Sequence, residues 1–179
     1  MKHLALVVCL LVTVAFFSAC KIFRPVAEPI PHLEDAAAIW TYITVDDPYT
    51  EWKQFDNAIG KIDGAPPHGN KVQVFPNELA YDSLYKDHVR FFPEGLVPAP
   101  VYRAEPGSII VMENYGCDEG QLIFISLMYK RKGFAPSSGD WYWAVYYPDG
   151  QIANEGKIES CIDCHVSMAF DDYTFIRKW

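Results

Sequence analysis

The stretch PGSIIVMENYGCDEGQLIFISLMYKRKGFAPSSGDWYWAVYYPDGQIANE, residues 106–155, determines the expected fold. Strand-like runs cover Ser108 to Glu113, Gln121 to Tyr129 and Asp140 to Tyr147, and a short return covers Gln151 to Glu155. β-Branched and aromatic residues bounded by Gly, Pro and Asp are typical of strands joined by tight turns. Because neighbouring strands joined by short turns pair antiparallel, the stretch predicts an antiparallel meander.

Two short helices are predicted ahead of the meander. Asp35 opens the first, over residues 36–43, and the second runs from Asn77 or Glu78 to His88. Apolar residues recur at helical spacing in both segments; they are Leu33, Ala36, Ala37, Trp40 and Ile43 in the first, and Leu79, Leu84 and Tyr85 in the second. The expected fold class is α+β, mainly antiparallel β-sheet with a few short helices, in a single domain over residues 32–179.

The segment between the two helices, Asp46 to Pro76, is rich in Gly, Pro, Asp and Asn. This composition is typical of a loop, and the segment is predicted to be an ordered one. His68 lies in its Gly/Pro turn. Between a ligand and a surface histidine, the turn favours the surface histidine.

A Cys-x-x-Cys-His run, Cys161-Ile162-Asp163-Cys164-His165, follows the meander. This spacing is the attachment signature of c-type haem, in which two thiols bond to the vinyl groups and the histidine is an axial ligand of the iron. A zinc site would need a second ligand pair, and a redox dithiol would need a βαβ context; both remain as alternatives. The run predicts one covalently attached haem c on Cys161 and Cys164, with His165 bound to its iron.

The N-terminus has the pattern of an export signal. Residues 1–19 contain Lys2 and His3, then an uncharged apolar run, then small residues, which is the order found in secretory signal peptides. Cys20 follows directly and resembles the lipid-carrying cysteine of bacterial lipoproteins; an ordinary signal peptide cut nearby is the alternative. Residues 20–31 are proline-rich and predicted to be a tether. We expect an exported, periplasmic protein of a Gram-negative bacterium with a lipid anchor in the membrane.

The net charge of the chain indicates which classes of binding partner are expected. Asp and Glu number 23 against 15 Lys and Arg, which gives a formal net charge of −8. An acidic surface argues against nucleic acid and favours cationic partners or small neutral ligands.

The second half of the chain, and the first half in outline, resembles the cytochrome P-460 family, which includes the cytochromes c′-beta. The resemblance lies in the segment Ser138 to Tyr147, the haem motif that follows it, the tail Asp171 to Phe175, and the strand Pro106 to Glu113. It implies an antiparallel sheet with one c-type haem packed on it, an open or apolar distal face, and a homodimer. It also implies nitric oxide or a related nitrogen oxide as ligand, and a periplasmic redox partner.

The chain departs from the hydroxylamine-oxidising members of that family at one position. Those members carry a lysine joined to the porphyrin, and Met112 stands at the matching position. Strand alternation places Met112 on one face with Ser108, Ile110 and Asn114, and Glu113 on the other. If the family register holds, Met112 packs against the haem; ligation of the iron by its thioether is the alternative. Lys130 is interpreted as a solvated charge in a turn.

Three functions therefore remain open at this point. The first is nitric oxide binding at an open haem site. The second is oxidation of hydroxylamine or nitric oxide in the same pocket. The third is electron transfer through a six-coordinate iron, with Met112 or a histidine as the sixth ligand.

Overall fold

The computed structural model describes residues 33–86, 103–116 and 120–176. The helices are α1 (Ala36–Thr41), α2 (Glu78–Tyr81) and α3 (Glu159–His165), and the strands are β1 (Ile62–Asp63), β2 (Lys71–Pro76), β3 (Ile109–Tyr115), β4 (Leu122–Lys130), β5 (Trp141–Tyr146) and β6 (Ile152–Gly156). The predicted signal peptide, Cys20 and the tether lie outside the described residues. In the three described ranges, no helix has both the length and the apolar character that a membrane span requires.

All six strands form one antiparallel sheet, in which each strand pairs with the next one along the chain. The predicted α+β class and the antiparallel meander are thereby confirmed. The loop prediction is wrong over β1 and β2, which lie inside Asp46 to Pro76. The strand β2 pairs with β3 along its whole length, from Lys71 opposite Tyr115 to Pro76 opposite Ile110. This pairing supplies hydrogen bonds that the local composition does not reveal.

The two helices predicted ahead of the sheet are present. Asp35 caps α1, because its carboxylate accepts a hydrogen bond from the backbone N–H of Ala38 at 2.8 Å. Asn77 caps α2 in the same way, through the N–H of Ala80 at 3.0 Å. Each helix continues into a wider helical turn, and the predicted end of the second helix at His88 lies outside the described residues.

The two faces of the sheet cover different parts of the chain. One face packs on α1 and the turn after it; its buried sheet residues are Phe75, Ile109, Val111, Ile125, Leu127, Tyr129, Tyr142, Ala144 and Tyr146. The opposite face carries Val72, Val74, Ile110, Met128, Trp141 and Trp143, and residues of α3 pack against it. Strand alternation thus separates a closed hydrophobic core from the face that holds the Cys-x-x-Cys-His helix.

Replacing Asn77 with alanine is expected to lower the free energy of unfolding by about 2–3 kcal/mol. The Asn77 side chain is 3% exposed and accepts from the N–H of Ile109 at 3.0 Å as well as from Ala80. It also donates to the carbonyl of Gly107 at 2.9 Å, so alanine would leave buried groups unpaired. Denaturant unfolding measures the loss. Asn77→Ser is the matched control: a serine hydroxyl can still cap the N–H of Ala80, so this variant should lose less, and equal losses would contradict this account.

Candidate haem site

The Cys-x-x-Cys-His run forms the helix α3 on the second face of the sheet. Cys161 and Cys164 lie one helical turn apart, so their thiols project from the same side of the helix. Both cysteines are free; Cys161 is half-buried against the core cluster and Cys164 is exposed. Burial raises the pKa of the Cys161 thiol.

The tautomer of His165 is fixed by a backbone carbonyl. Its Nδ1 lies 2.6 Å from the carbonyl oxygen of Tyr173. A carbonyl oxygen only accepts hydrogen bonds, so Nδ1 carries the proton and Nε2 keeps its lone pair. A histidine that ligates a metal through one nitrogen and donates from the other has this arrangement.

Aromatic rings enclose the His165 imidazole. The Trp143 ring lies 4.7 Å from it and the Phe175 ring 4.9 Å, both edge-to-face. Burial is the main cause that lowers the pKa of His165, the neighbouring His68 adds to it, and the hydrogen bond to Tyr173 opposes both. The imidazole is therefore held neutral, which is the form that binds a metal.

The carbonyl that holds His165 is presented by an unusual backbone turn. Asp172 and Tyr173 both adopt left-handed conformations, with φ of 53° and 65°. The turn is tied to the sheet because the indole N–H of Trp141 donates to the Asp172 carbonyl at 2.8 Å. The Asp172 carboxylate accepts from the backbone N–H of Ala104 at 2.7 Å.

Lys130 completes this anchor, and its interpretation as a solvated turn charge is wrong. Its ammonium lies 2.7 and 2.6 Å from the two carboxylate oxygens of Asp172. Lys130 is 8% exposed and Asp172 is fully buried. The lysine is the last residue of β4 rather than a turn residue, and the sheet carries its side chain under the C-terminal segment.

Two adjoining cavities open beside His165, of about 360 and 70 Å³. The larger falls in the range of roughly 300–1,000 Å³ that is typical of small-molecule and cofactor sites. Seven residues line both cavities: Pro67, His68, Ile110, Met112, Met128, Cys164 and His165. Cys161 and Trp143 line the smaller one, and Phe175 and Thr174 the larger. The structure thus brings the haem motif and Met112 to one space.

Strand alternation placed Met112 and Glu113 correctly on opposite faces of β3. Met112 lines both cavities, whereas Glu113 accepts hydrogen bonds from the hydroxyls of Tyr49 at 2.9 Å and Tyr115 at 2.6 Å. Both tyrosines belong to or flank the closed core on the other side. Glu113 therefore has no access to the space around His165.

His68 also faces this space, and its interpretation as a surface histidine is wrong. It is half-buried, and its Nδ1 lies 2.8 Å from Oδ1 of Asn114 on β3. Glycine at position 69 permits this close approach, because a Cβ there would lie 2.0 Å from the carbonyl oxygen of Tyr115. The Gly/Pro composition signalled a turn correctly but not that the turn packs on the sheet.

The residues present fit a haem. The lining supplies one imidazole nitrogen, two thiols at the attachment spacing and predominantly apolar walls. The indole Nε1 of Trp143 is buried and has no hydrogen-bond partner among the described residues, although a buried indole N–H is normally paired. A cofactor that carries its own oxygen acceptors, as haem does in its propionates, would satisfy such a donor.

Sequence reasoning missed Trp143, Asn114 and Asp172 as parts of the site. Trp143 shares a strand face with Trp141, and nothing in its local sequence distinguishes the two. Asp172 belongs to a tail whose anchoring depends on Lys130, 42 residues earlier. For Asn114 a signal existed, since alternation put this polar residue on the same face as Met112.

Comparison with known proteins agrees with this geometry. No curated protein matches the chain. The family model described as Cytochrome P460 matches residues 47–176, which includes the whole sheet, the His68 turn and the Cys-x-x-Cys-His helix. The match covers most of the chain, and we conclude that the protein belongs to the cytochrome P460 family, whose cofactor is a haem.

Proposed function

We propose that the protein is an exported c-type cytochrome that carries one haem on Cys161 and Cys164, with His165 as the proximal ligand. The observation that carries this proposal is the His165 imidazole, which donates from Nδ1 to Tyr173 and keeps an Nε2 lone pair at the wall of a cavity. Met112, which lines the same cavity, packs against the haem in this proposal.

The ligand we propose is nitric oxide or a related small nitrogen oxide. A bound haem supplies an iron that takes such ligands and exchanges single electrons. The larger cavity offers few free side-chain donors to a polar ligand, because the Thr174 hydroxyl donates to the Asp171 carbonyl at 2.9 Å. The smaller cavity holds two donors: the Trp143 indole N–H, and the hydroxyl of Ser126, whose oxygen accepts from the Asn114 amide at 3.1 Å. The donor-poor larger cavity favours nitric oxide over dioxygen, whose bound form needs hydrogen-bond donors.

Ligand binding is proposed ahead of hydroxylamine oxidation. The described residues that line the two cavities include no lysine, and Met112 stands where the resemblance expects the cross-linking one. A thioether has no amine to attach to a porphyrin edge. The residues at the site therefore support binding of the ligand more directly than its oxidation.

The setting of this function is part of the proposal. We propose a periplasmic location, with lipid on Cys20 holding the domain at the membrane through the tether. Electrons would come from a periplasmic redox partner, and the net charge of −8 favours a basic partner surface over nucleic acid. A homodimer remains the expected assembly for this family.

Nitric oxide is expected to change the optical spectrum of the reduced protein sharply. The protein is exported in a strain able to attach haem, purified, reduced with dithionite under argon and titrated with nitric oxide. The reason is direct ligation at the face opposite His165. Protein with Cys161→Ala and Cys164→Ala, which lacks the attachment thiols, provides the baseline. A reduced, haem-loaded protein whose spectrum ignores nitric oxide would contradict the proposal.

A further inference from the structure

We propose that His68 is the sixth ligand of the haem iron, opposite His165, and that small ligands must displace it. This inference rests on the proposed haem site and specifies the state of that site before a ligand arrives. The resting protein would then be six-coordinate, although its family resemblance implies an open face. Three observations support the proposal: the distance of His68 from His165, the tautomer of His68, and the hydrogen bond that holds its imidazole.

The distance between the His68 and His165 imidazoles matches the distance expected for two imidazoles bound to one metal ion. Their ring centroids lie 6.4 Å apart, with the ring planes at 79°. A metal–imidazole bond is about 2 Å long and the nitrogen lies about 1 Å from its ring centre, so two imidazoles on one metal have centroids roughly 6 Å apart.

The protonation of His68 suits a ligand and not a hydrogen-bond donor. The Asn114 amide nitrogen lies 2.8 Å from the Met112 carbonyl and 3.2 Å from the Phe124 carbonyl, which fixes Oδ1 as the atom facing His68. Because Oδ1 only accepts, the proton of His68 is on Nδ1. Nε2 then offers a lone pair, as in His165, and has no proton to donate to a bound ligand.

The His68 imidazole is held by Asn114, which is itself hydrogen-bonded to the sheet. Asn114 is fully buried, and its amide is held by three groups of the sheet. The His68 backbone N–H closes a turn onto the Ala65 carbonyl at 2.9 Å. A ligand oriented by a second hydrogen bond from its other nitrogen is the usual arrangement around protein-bound metals.

The cavities extend to both sides of the two histidines. His68 and His165 line the larger and the smaller cavity alike, so both imidazoles border the same two open spaces. A flat macrocycle centred between the imidazoles needs space of this kind. The attachment cysteines Cys161 and Cys164 both line the smaller cavity.

The experiment compares ferric spectra of the haem-loaded wild type, His68→Ala and Met112→Leu. The wild type should be low-spin by optical and electron paramagnetic resonance spectra, with the strongly anisotropic signal typical of perpendicular imidazoles. His68→Ala should become high-spin, and added imidazole should restore the low-spin spectrum. Met112→Leu removes the competing thioether at similar volume and should remain low-spin. After reduction of each protein, nitric oxide or carbon monoxide should bind His68→Ala roughly tenfold or more faster than the wild type, because no internal ligand competes.

The outcomes separate the two proposals. A high-spin wild type that binds nitric oxide would overturn the His68 assignment and leave the ligand-binding function standing. If His68→Ala stays low-spin and Met112→Leu does not, the His68 assignment is overturned and the Met112 thioether is the sixth ligand. Loss of the low-spin state in His68→Ala, with nitric oxide ignored by both proteins, would support the assignment and overturn the function.

Discussion

Protein carrying both Cys161→Ala and Cys164→Ala is expected to lose all haem staining on a denaturing gel. The two thiols are the only groups on α3 that can form thioether bonds to the porphyrin, and both are free in the structure. His165 alone would hold a haem by a bond that denaturant breaks. The measurement is peroxidase staining against protein staining after export in a haem-attaching strain.

The other cysteine of the mature domain provides the matched control. Cys117→Ser removes a thiol outside the haem motif and outside the described residues, and it should leave the staining at the wild-type level. Each single replacement, at Cys161 or at Cys164, should leave one possible thioether and weaker staining. Full staining of the double variant would refute covalent attachment through this motif and revive the zinc and dithiol alternatives.

Asp172→Ala is expected to lower the free energy of unfolding by about 3–5 kcal/mol. The substitution leaves the Lys130 ammonium at 8% exposure without its counter-ion and removes the acceptor of the Ala104 N–H. It also places alanine at φ of 53°, which an aspartate tolerates better. Denaturant unfolding of the haem-loaded protein, followed by circular dichroism, measures the loss.

A double variant that also replaces Lys130 distinguishes the loss of the charge pair from the loss of packing. Lys130→Met together with Asp172→Asn removes both charges while the methionine stem keeps contact with Trp141, whose ring lies 4.8 Å from the ammonium. This double variant should be more stable than Asp172→Ala alone, because no unpaired charge stays buried. If the two variants lose the same stability, the buried ammonium is not the cause.

The sheet was predictable from the sequence where its pattern is local. Strands β3 to β5 are runs rich in β-branched and aromatic residues, and turns with Gly, Pro or Asp bound them and the short return β6, so this pattern located all four within two residues. Strand β2 was missed because it follows a Gly- and Pro-rich segment, and it is stabilised by pairing with β3, some forty residues later in the chain. The Gly and Pro content of this segment indicates a turn, but it does not indicate which part of the protein the turn packs against.

The candidate site was predictable in its chemistry and only partly in its surroundings. The Cys-x-x-Cys-His run was identified from its spacing, and Met112 from the family resemblance, which places it where other members carry the cross-linking lysine; alternation then assigned its strand face. His68 was misjudged, since its burial depends on Gly69 meeting the backbone of Tyr115. Lys130 was misjudged because its partner Asp172 comes 42 residues later. Contacts at that separation become visible only once the sheet is folded.

The Tyr173 carbonyl gives His165 a neutral hydrogen-bond acceptor instead of an anionic one. A carboxylate acceptor would draw the Nδ1 proton and make the imidazole a stronger electron donor, whereas a peptide dipole does so weakly. With a haem bound as proposed, this acceptor would favour the reduced iron and a higher reduction potential. Because the acceptor is main chain, no side-chain truncation at Tyr173 removes it. The backbone conformation of residues 171–174 therefore determines which atom accepts the Nδ1 hydrogen bond of His165.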